Sequence, residues 1–146
     1  MQRWYTVKVK YTKRVEKNGE EDYKQVTEAF LLPAVSFTDA EAKMTEEIST
    51  QTAGDFLVQS MSLTEIAEIK KTEEGGQWYI CKIVILEEDD RGRVSKTKQN
   101  YMIEGESVKD ATKRLEELLS DVMFNYEITT VSRSNIVDVL QDSIEA

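Results

Sequence analysis

The amino-acid sequence predicts an α+β protein made by tandem duplication of a β-β-α-β unit. Two stretches, WYTVKVKY from Trp4 and WYICKIVI from Trp78, place apolar residues at the two-residue period of a strand. Each stretch is followed by hairpin-loop residues and a second strand-like stretch, and then by a serine that opens a run with helical spacing. These features occur twice in the same order, which predicts the duplication.

The two repeats align along most of their length with small changes of offset. Their first strands are 74 positions apart, whereas the helix openings at Ser36 and Ser107 are 71 positions apart. The offset changes in the stretch that contains Asn18-Gly19 in the first repeat and Asp90-Arg91-Gly92 in the second. Both are hairpin-loop sequences, and loops tolerate a change of length at a small cost in free energy.

The predicted strands pair as two hairpins. One face of each first strand is apolar: Tyr5, Val7, Val9 and Tyr11 in the first repeat, and Tyr79, Cys81, Ile83 and Ile85 in the second. The opposite faces carry a tryptophan and a lysine: Trp4, Thr6, Lys8 and Lys10, and Trp78, Ile80, Lys82 and Val84. The stretches KQVTEAFLL and SKTKQNYMI are the predicted return strands, and Pro33 fits the exit of the first.

Each predicted helix begins with a serine cap. Ser36 is followed three residues later by Asp39, and Ser107 by Asp110, which is the spacing of a capping box. We expect the serine to accept a hydrogen bond from the aspartate amide, and the carboxylate to reach back to the serine amide. Helical apolar spacing follows at Phe37, Ala40, Met44 and Ile48, and at Val108, Ala111, Leu115, Leu119 and Val122. A third strand follows each helix, with a further short element in TEIAEIKK and NIVDVLQD.

The repeats are predicted to span residues 1–73 and 77–146, joined at Gly75-Gly76. One repeat alone leaves a sheet face and its edges uncovered, so we expect both to form one domain, residues 1–146, with antiparallel sheet and internal pseudo-two-fold symmetry. Two separate lobes are the alternative. The strands are also compatible with pairing between chains in a homodimer.

Composition narrows the class of protein. The chain has 146 residues, 40% apolar and 32% charged, with one cysteine and a net charge of −9. The single thiol indicates a reducing compartment, so we expect a cytoplasmic protein. None of the apolar runs is long enough to predict a membrane segment. The negative charge makes binding to duplex DNA unfavourable, although a local basic patch is compatible with that net charge.

No arrangement of residues in the sequence predicts catalysis. The chain has no histidine, one cysteine and no phosphate-binding glycine loop, so we expect no catalytic residue, metal or cofactor. A hydrolase that uses carboxylates alone is a third hypothesis without a supporting motif. The acidic run from Glu87 to Asp90 lies in a predicted hairpin loop, where it is either a solvated turn or a site for a hard cation.

The candidate binding residues lie on the lysine-bearing strand faces. They are Trp4, Lys8, Lys10, Trp78 and Lys82, and the first three lie in the one basic segment, from Arg3 to Lys24. Aromatic rings that stack on bases, beside lysines that contact phosphates, are what a site for a nucleotide or for single-stranded nucleic acid requires. The alternative is that both tryptophans are buried anchors and the lysines beside them are solvated.

The chain resembles the domain of unknown function 4494 family. The resemblance rests on WYTVKVKY, TEAFLLPAVSFTDAEAKM, SLTEIAEI, WYICKIVI, YMIEGESVKDA and NIVDVL, and it covers almost the whole chain. It implies a small protein of gut anaerobes or their phages, in the cytoplasm of a bacterial host cell, with no established activity or catalytic residue to carry over. A phage setting implies interference with host defence, including capture of a signalling nucleotide.

These observations lead to two hypotheses of function. The first is a small non-enzymatic binding or interaction protein, of phage or bacterial origin, with an unidentified protein or nucleotide as its ligand. The alternative is a binder of nucleotides or single-stranded nucleic acid that acts through the five candidate residues.

Overall fold

The computed structural model describes residues 1–141, apart from the side chain of Ala53. Within this range the chain forms eight strands and two helices, so the predicted α+β class is confirmed. In chain order these are β1 (Arg3–Lys17), β2 (Glu20–Ala34), α1 (Phe37–Ser49), β3 (Thr52–Thr64), β4 (Glu68–Lys70), β5 (Gln77–Glu88), β6 (Val94–Gly105), α2 (Val108–Leu118), β7 (Asn125–Arg133) and β8 (Ile136–Val139). Residues 142–146, the end of the predicted second repeat, lie outside the described residues.

The first compact unit contains Met1–Thr64 together with the segment that begins at Asn135. Its sheet has the order β3-β1-β2-β8, in which β1 is antiparallel to β2 and β3 while β8 is parallel to β2. The apolar face of β1 packs with α1 as predicted, and the core consists of Tyr5, Val7, Val9, Tyr11, Phe30, Leu32, Ala34, Ala40, Met44 and Ile48.

A two-residue turn joins β1 to β2. Asn18 and Gly19 both have positive φ, 55° and 80°, and Lys17 lies opposite Glu20. Positive φ at both central residues defines a type I′ turn, whose twist matches that of the strands it joins. Glycine and asparagine are the residues that adopt this conformation at least cost.

The second compact unit contains Glu65–Ser134. Its sheet has the order β4-β6-β5-β7, in which β5 is antiparallel to β6 and β7 while β4 is parallel to β6. Helix α2 packs on the apolar face of β5, and the core consists of Tyr79, Cys81, Ile83, Ile85, Tyr101, Ile103, Ala111, Leu115 and Leu119.

Both helices begin at the predicted serine caps. The Oγ of Ser36 accepts from the amide of Asp39 at 3.1 Å, and the Oγ of Ser107 accepts from the amide of Asp110 at 3.0 Å. Each carboxylate also accepts a backbone hydrogen bond at 2.9 Å, but the donor is the residue before the serine, Val35 or Glu106, and not the serine itself. The predicted bond from the serine amide is therefore replaced by one from the amide of the preceding residue.

The sheet pairing differs from the prediction in one respect. Each sheet contains both antiparallel and parallel strand pairs. In the chain, β4 follows the three antiparallel strands of the first unit but pairs in parallel with β6 of the second, and β8 follows those of the second unit but pairs in parallel with β2 of the first. These strands, β4 and β8, are the short elements predicted in TEIAEIKK and NIVDVLQD. The units therefore begin and end at other positions than the predicted repeats. Neither helix of residues 1–141 is long and apolar enough to cross a membrane.

Candidate functional site

The face of the first sheet that α1 does not cover carries three of the five candidate residues. Strand alternation places Trp4, Lys8 and Lys10 on the side of β1 away from the core cluster. Lys8 is exposed and lies between Ala29 of β2 and Ser60 of β3, while Trp4 and Lys10 are half-buried. This helix-free face therefore presents the Lys8 ammonium group to solvent.

The corresponding face of the second sheet carries Lys82 and two further lysines. Lys82 is exposed, with Asn100 of β6 and Thr130 of β7 as its neighbours in the ladder. Lys96 and Lys98 are exposed and lie on the same face as Asn100, because they are four and two residues before it on β6. These two lysines were not among the candidates predicted from the sequence, although the alternation in SKTKQNYMI was the signal that places them with Lys82.

Trp78 is not available as a stacking platform in this structure. Its side chain lies on the same face of β5 as Lys82, but only 3% of the residue is exposed. A base can stack only on an accessible ring, so the predicted contact through Trp78 is corrected to a buried anchor. The backbone carbonyl of Trp78 accepts from the amide of Ser134 at 2.8 Å.

Trp4 lines a pocket at the start of β1. The pocket has a volume of about 260 Å³ and is lined by Gln2, Arg3, Trp4, Pro33 and Gln141. Its lining residues include a tryptophan, an arginine and two glutamines. Such a set offers stacking, charge and hydrogen bonds to a planar anion.

A family model for a domain of unknown function, number 4494, matches residues 3–142 of the chain. The chain belongs to the domain of unknown function 4494 family. The resemblance found in the sequence is thereby confirmed. Neither a curated protein nor a solved structure is significantly similar to the chain. The family description names no activity, so membership in the domain of unknown function 4494 family assigns no role to any residue.

One polar cluster was missed by the sequence analysis. The buried hydroxyl of Tyr11 donates to Oε1 of Glu28, and the Nζ of Lys13 lies 3.3 Å from Oε2 of the same carboxylate. Burial, followed by the bond to Glu28, raises the pKa of Tyr11 far above its usual range. The carboxylate gives a buried phenol its partner, so the cluster stabilises the fold of β1 against β2.

The remaining charged groups of note stabilise local structure. Asp110 accepts from the amide of Glu106 and from Nε of Arg114, and these bonds lower the pKa of Asp110. In the acidic loop, Oδ1 of Asp89 accepts from the amides of Arg91 and Arg93, as expected for a solvated turn. Within residues 1–141, no three acidic, cysteine or histidine side chains are grouped in a way that suits a metal ion.

Proposed function

We propose that the chain arose by tandem duplication and that its two halves are related by a pseudo-two-fold axis. Several features support the duplication. Both halves have the order β-β-α-β-β, and both place the third strand, first strand, second strand and a parallel short strand in the same order across a sheet. Both central strands also face a β-bulge at matching positions, after Lys8 and after Lys82.

We further propose that the protein is a small non-enzymatic binding protein that contacts an anionic partner through its helix-free sheet faces. The observation that carries this proposal is the exposure of Lys8 and Lys82, which occupy matching positions of the two central strands. Lys96 and Lys98 add two exposed charges to the second face. In a chain with a net charge of −9, attraction of an anion depends on local groups of exposed positive charge such as these.

The test measures binding of two labelled anionic probes, a single-stranded oligonucleotide and a glutamate-rich peptide, at several salt concentrations. We expect the double substitution Lys8→Glu with Lys82→Glu to weaken binding by at least about tenfold and to flatten the dependence on salt. Lys109→Glu with Lys113→Glu is the matched control, because it changes the net charge equally at exposed lysines of α2. Equal weakening by both pairs, or by neither, would rule out the lysine faces as the binding surface.

The pocket beside Trp4 favours a second candidate function, which is binding of a nucleotide or of single-stranded nucleic acid. A base would stack on the Trp4 ring while Arg3 contacts a phosphate. The variant Trp78→Phe leaves Trp4 as the only tryptophan, so its fluorescence reports on this pocket alone. We expect oligonucleotides or cyclic nucleotides to quench that emission, and Arg3→Glu to abolish the quenching. Emission that does not change at low salt would rule out this candidate.

The absence of turnover is the third part of the proposal. Purified protein is expected to leave phosphodiester, ester and peptide substrates intact, and hydrolysis that follows the protein through purification would overturn the non-enzymatic assignment. The bacterial or phage origin and the cytoplasmic location are proposals of the same kind, and the neighbouring genes would test them.

A further inference from the structure

Strand β3 forms a long open edge of the first sheet. It has 13 residues, and in the sheet order of the described chain its strand neighbour is β1. The residues from Gln59 to Leu63 are exposed except for Met61, which is half-buried. An edge strand presents unpaired N–H and C=O groups along its outer side, and these groups are a template for another strand.

The register of the sheet identifies which backbone groups point outward. The two-residue turn makes Lys17 and Glu20 a hydrogen-bonded pair, so the odd-numbered residues of β1 bond to β2 and the even-numbered residues bond to β3. Thr6, an even-numbered residue, lies opposite Ser62. Ser62 therefore bonds inward to β1, while the amides and carbonyls of its neighbours, Met61 and Leu63, point away from the sheet.

The end of β3 lacks the features that protect an edge strand. The segment Ser60–Thr64, with the sequence SMSLT, contains no charge and no proline, and the β-bulge lies before it at Gln59. The equivalent edge strand of the second unit, β7, ends in the charged Arg133 and carries Glu127. Charged side chains and bulges within the pairing segment discourage edge-to-edge contacts, so the unprotected edge is that of β3.

We propose that Ser60–Thr64 pairs antiparallel with the same segment of a second chain, about a two-fold axis through Ser62. In this register Met61 of one chain and Leu63 of the other form hydrogen-bonded pairs through their outward groups. The apolar side chains of Met61 and Leu63 then meet on one face, and serine and threonine side chains meet on the other.

A second chain fits this edge because an antiparallel strand is complementary to its own copy, which makes the contact isologous and closed. The charges agree with this choice. The only charged residue of β3, Asp55, is seven positions from the axis, or roughly 23 Å, so the two aspartates stand at opposite ends of the pair. Pairing is still opposed by the long-range repulsion between two chains of net charge −9, and salt screens this repulsion.

The pairing segment is short, so we expect the weak, concentration-dependent association of a small interface. Salt should strengthen it, whereas salt weakens the binding of anions to Lys8 and Lys82. The two proposals therefore succeed or fail separately, because the same titration moves them in opposite directions.

The test is sedimentation velocity of the full chain from low micromolar to submillimolar concentration, at low and moderate salt. We expect a dimer whose dissociation constant rises by at least about tenfold in Ser62→Lys, because two lysines then face each other across the axis. Ser132→Lys is the matched control, since Ser132 is the equivalent exposed serine of β7, and it should dimerise like the wild type. Unfolding curves of both variants establish that each is folded.

Hydrogen exchange provides a second readout that does not depend on a variant. As concentration rises, the amides of Met61 and Leu63 should gain protection, while the amide of Ser62, already bonded within the sheet, should change little. A chain that stays monomeric at every concentration overturns the proposal, and so does a dimer in which Met61 and Leu63 gain no protection. Equal weakening by Ser62→Lys and Ser132→Lys also overturns it.

Discussion

The thiol of Cys81 is buried in the core of the second unit, with no exposed surface. Burial raises its pKa from 9.0 to about 11, because the thiolate loses its hydration in the apolar surroundings. The folded thiol therefore keeps its proton over a range of pH in which the unfolded thiol loses it. Its contribution to stability is complete below pH 9 and is lost as the pH rises toward 11.

We expect this contribution to appear as a slope of unfolding free energy against pH. Between pH 8 and pH 10 the wild type should lose about 1.3 kcal/mol more stability than Cys81→Ala, which lacks the titrating group. Urea unfolding at both pH values measures the difference, and other groups, such as Tyr11, contribute equally to both proteins. Parallel slopes for the two proteins would show that the thiol is not protected by burial.

The faces of single strands could be predicted from the sequence, but their burial could not. The two-residue period placed Lys8 and Lys82 on one side of their strands and the core tyrosines on the other, as the structure shows. The same period gave Trp4 and Trp78 equivalent positions, yet Trp78 is buried and Trp4 is half-buried. Alternation reports which side chains share a face, whereas burial depends on what else packs against that face.

At the scale of the element, the serine caps are the features best predicted by local sequence. Ser36 and Ser107 have nearly the same backbone angles, with φ of −162° and −159°, and they accept the same hydrogen bond. We expect Ser36→Ala and Ser107→Ala each to lower the unfolding free energy by about 1 kcal/mol. Ser49→Ala, at the end of α1, is the control. Thermal unfolding of the three variants measures the costs, and a difference above about 1 kcal/mol between the two caps would count against their equivalence.

The entry to β5 depends on a close approach of two backbones. Gly76 has a φ of 144°, and a Cβ at this position would lie 2.5 Å from the carbonyl oxygen of Gly105. Alanine there meets both a strained backbone and a clash with backbone atoms, so we expect Gly76→Ala to cost more than about 2 kcal/mol. Gly54→Ala is the matched control, because its Cβ would meet nothing within 4 Å and its φ is not positive.

Urea unfolding measures both glycine variants, and the control should stay within about 0.5 kcal/mol of the wild type. A Gly76→Ala variant as stable as the control would show that the backbone moves away from Gly105 at little cost. From the sequence, Gly75-Gly76 was predicted to be the joint between the repeats. The reason for glycine at position 76, however, is a contact 29 positions away along the chain, and local patterns do not report such contacts.

At the scale of the whole molecule, the order of the strands along the chain does not match the sheets to which they belong. The two hairpins and helices follow from local patterns, but β4 and β8 are short, and each pairs with a strand far from it in sequence. Three or four residues carry no period from which a partner can be inferred. For this reason the short elements could be predicted, whereas their parallel pairing and the resulting boundaries of the compact units could not.

The attachment of β8 to the first sheet can be tested with two valines of the same strand. Val139 is 1% exposed, whereas Val137 is 46% exposed. A carboxylate at position 139 would lose its hydration, so we expect Val139→Asp to lower the unfolding free energy by more than about 3 kcal/mol. Val137→Asp introduces the same charge into solvent and should change it by less than about 0.5 kcal/mol.

Hydrogen exchange at Leu140 separates loss of this strand from general destabilisation. The amide of Leu140 donates to the carbonyl of Leu31 at 2.8 Å, so its protection reports directly on the pairing of the β8 segment with β2. In Val139→Asp this amide should exchange much faster, while the amide of Ser134, which bonds to Trp78 in the second unit, should keep more of its protection. If Leu140 stayed as protected as in Val137→Asp, burial of Val139 would not be what holds the strand, and the backbone ladder alone would have to do so.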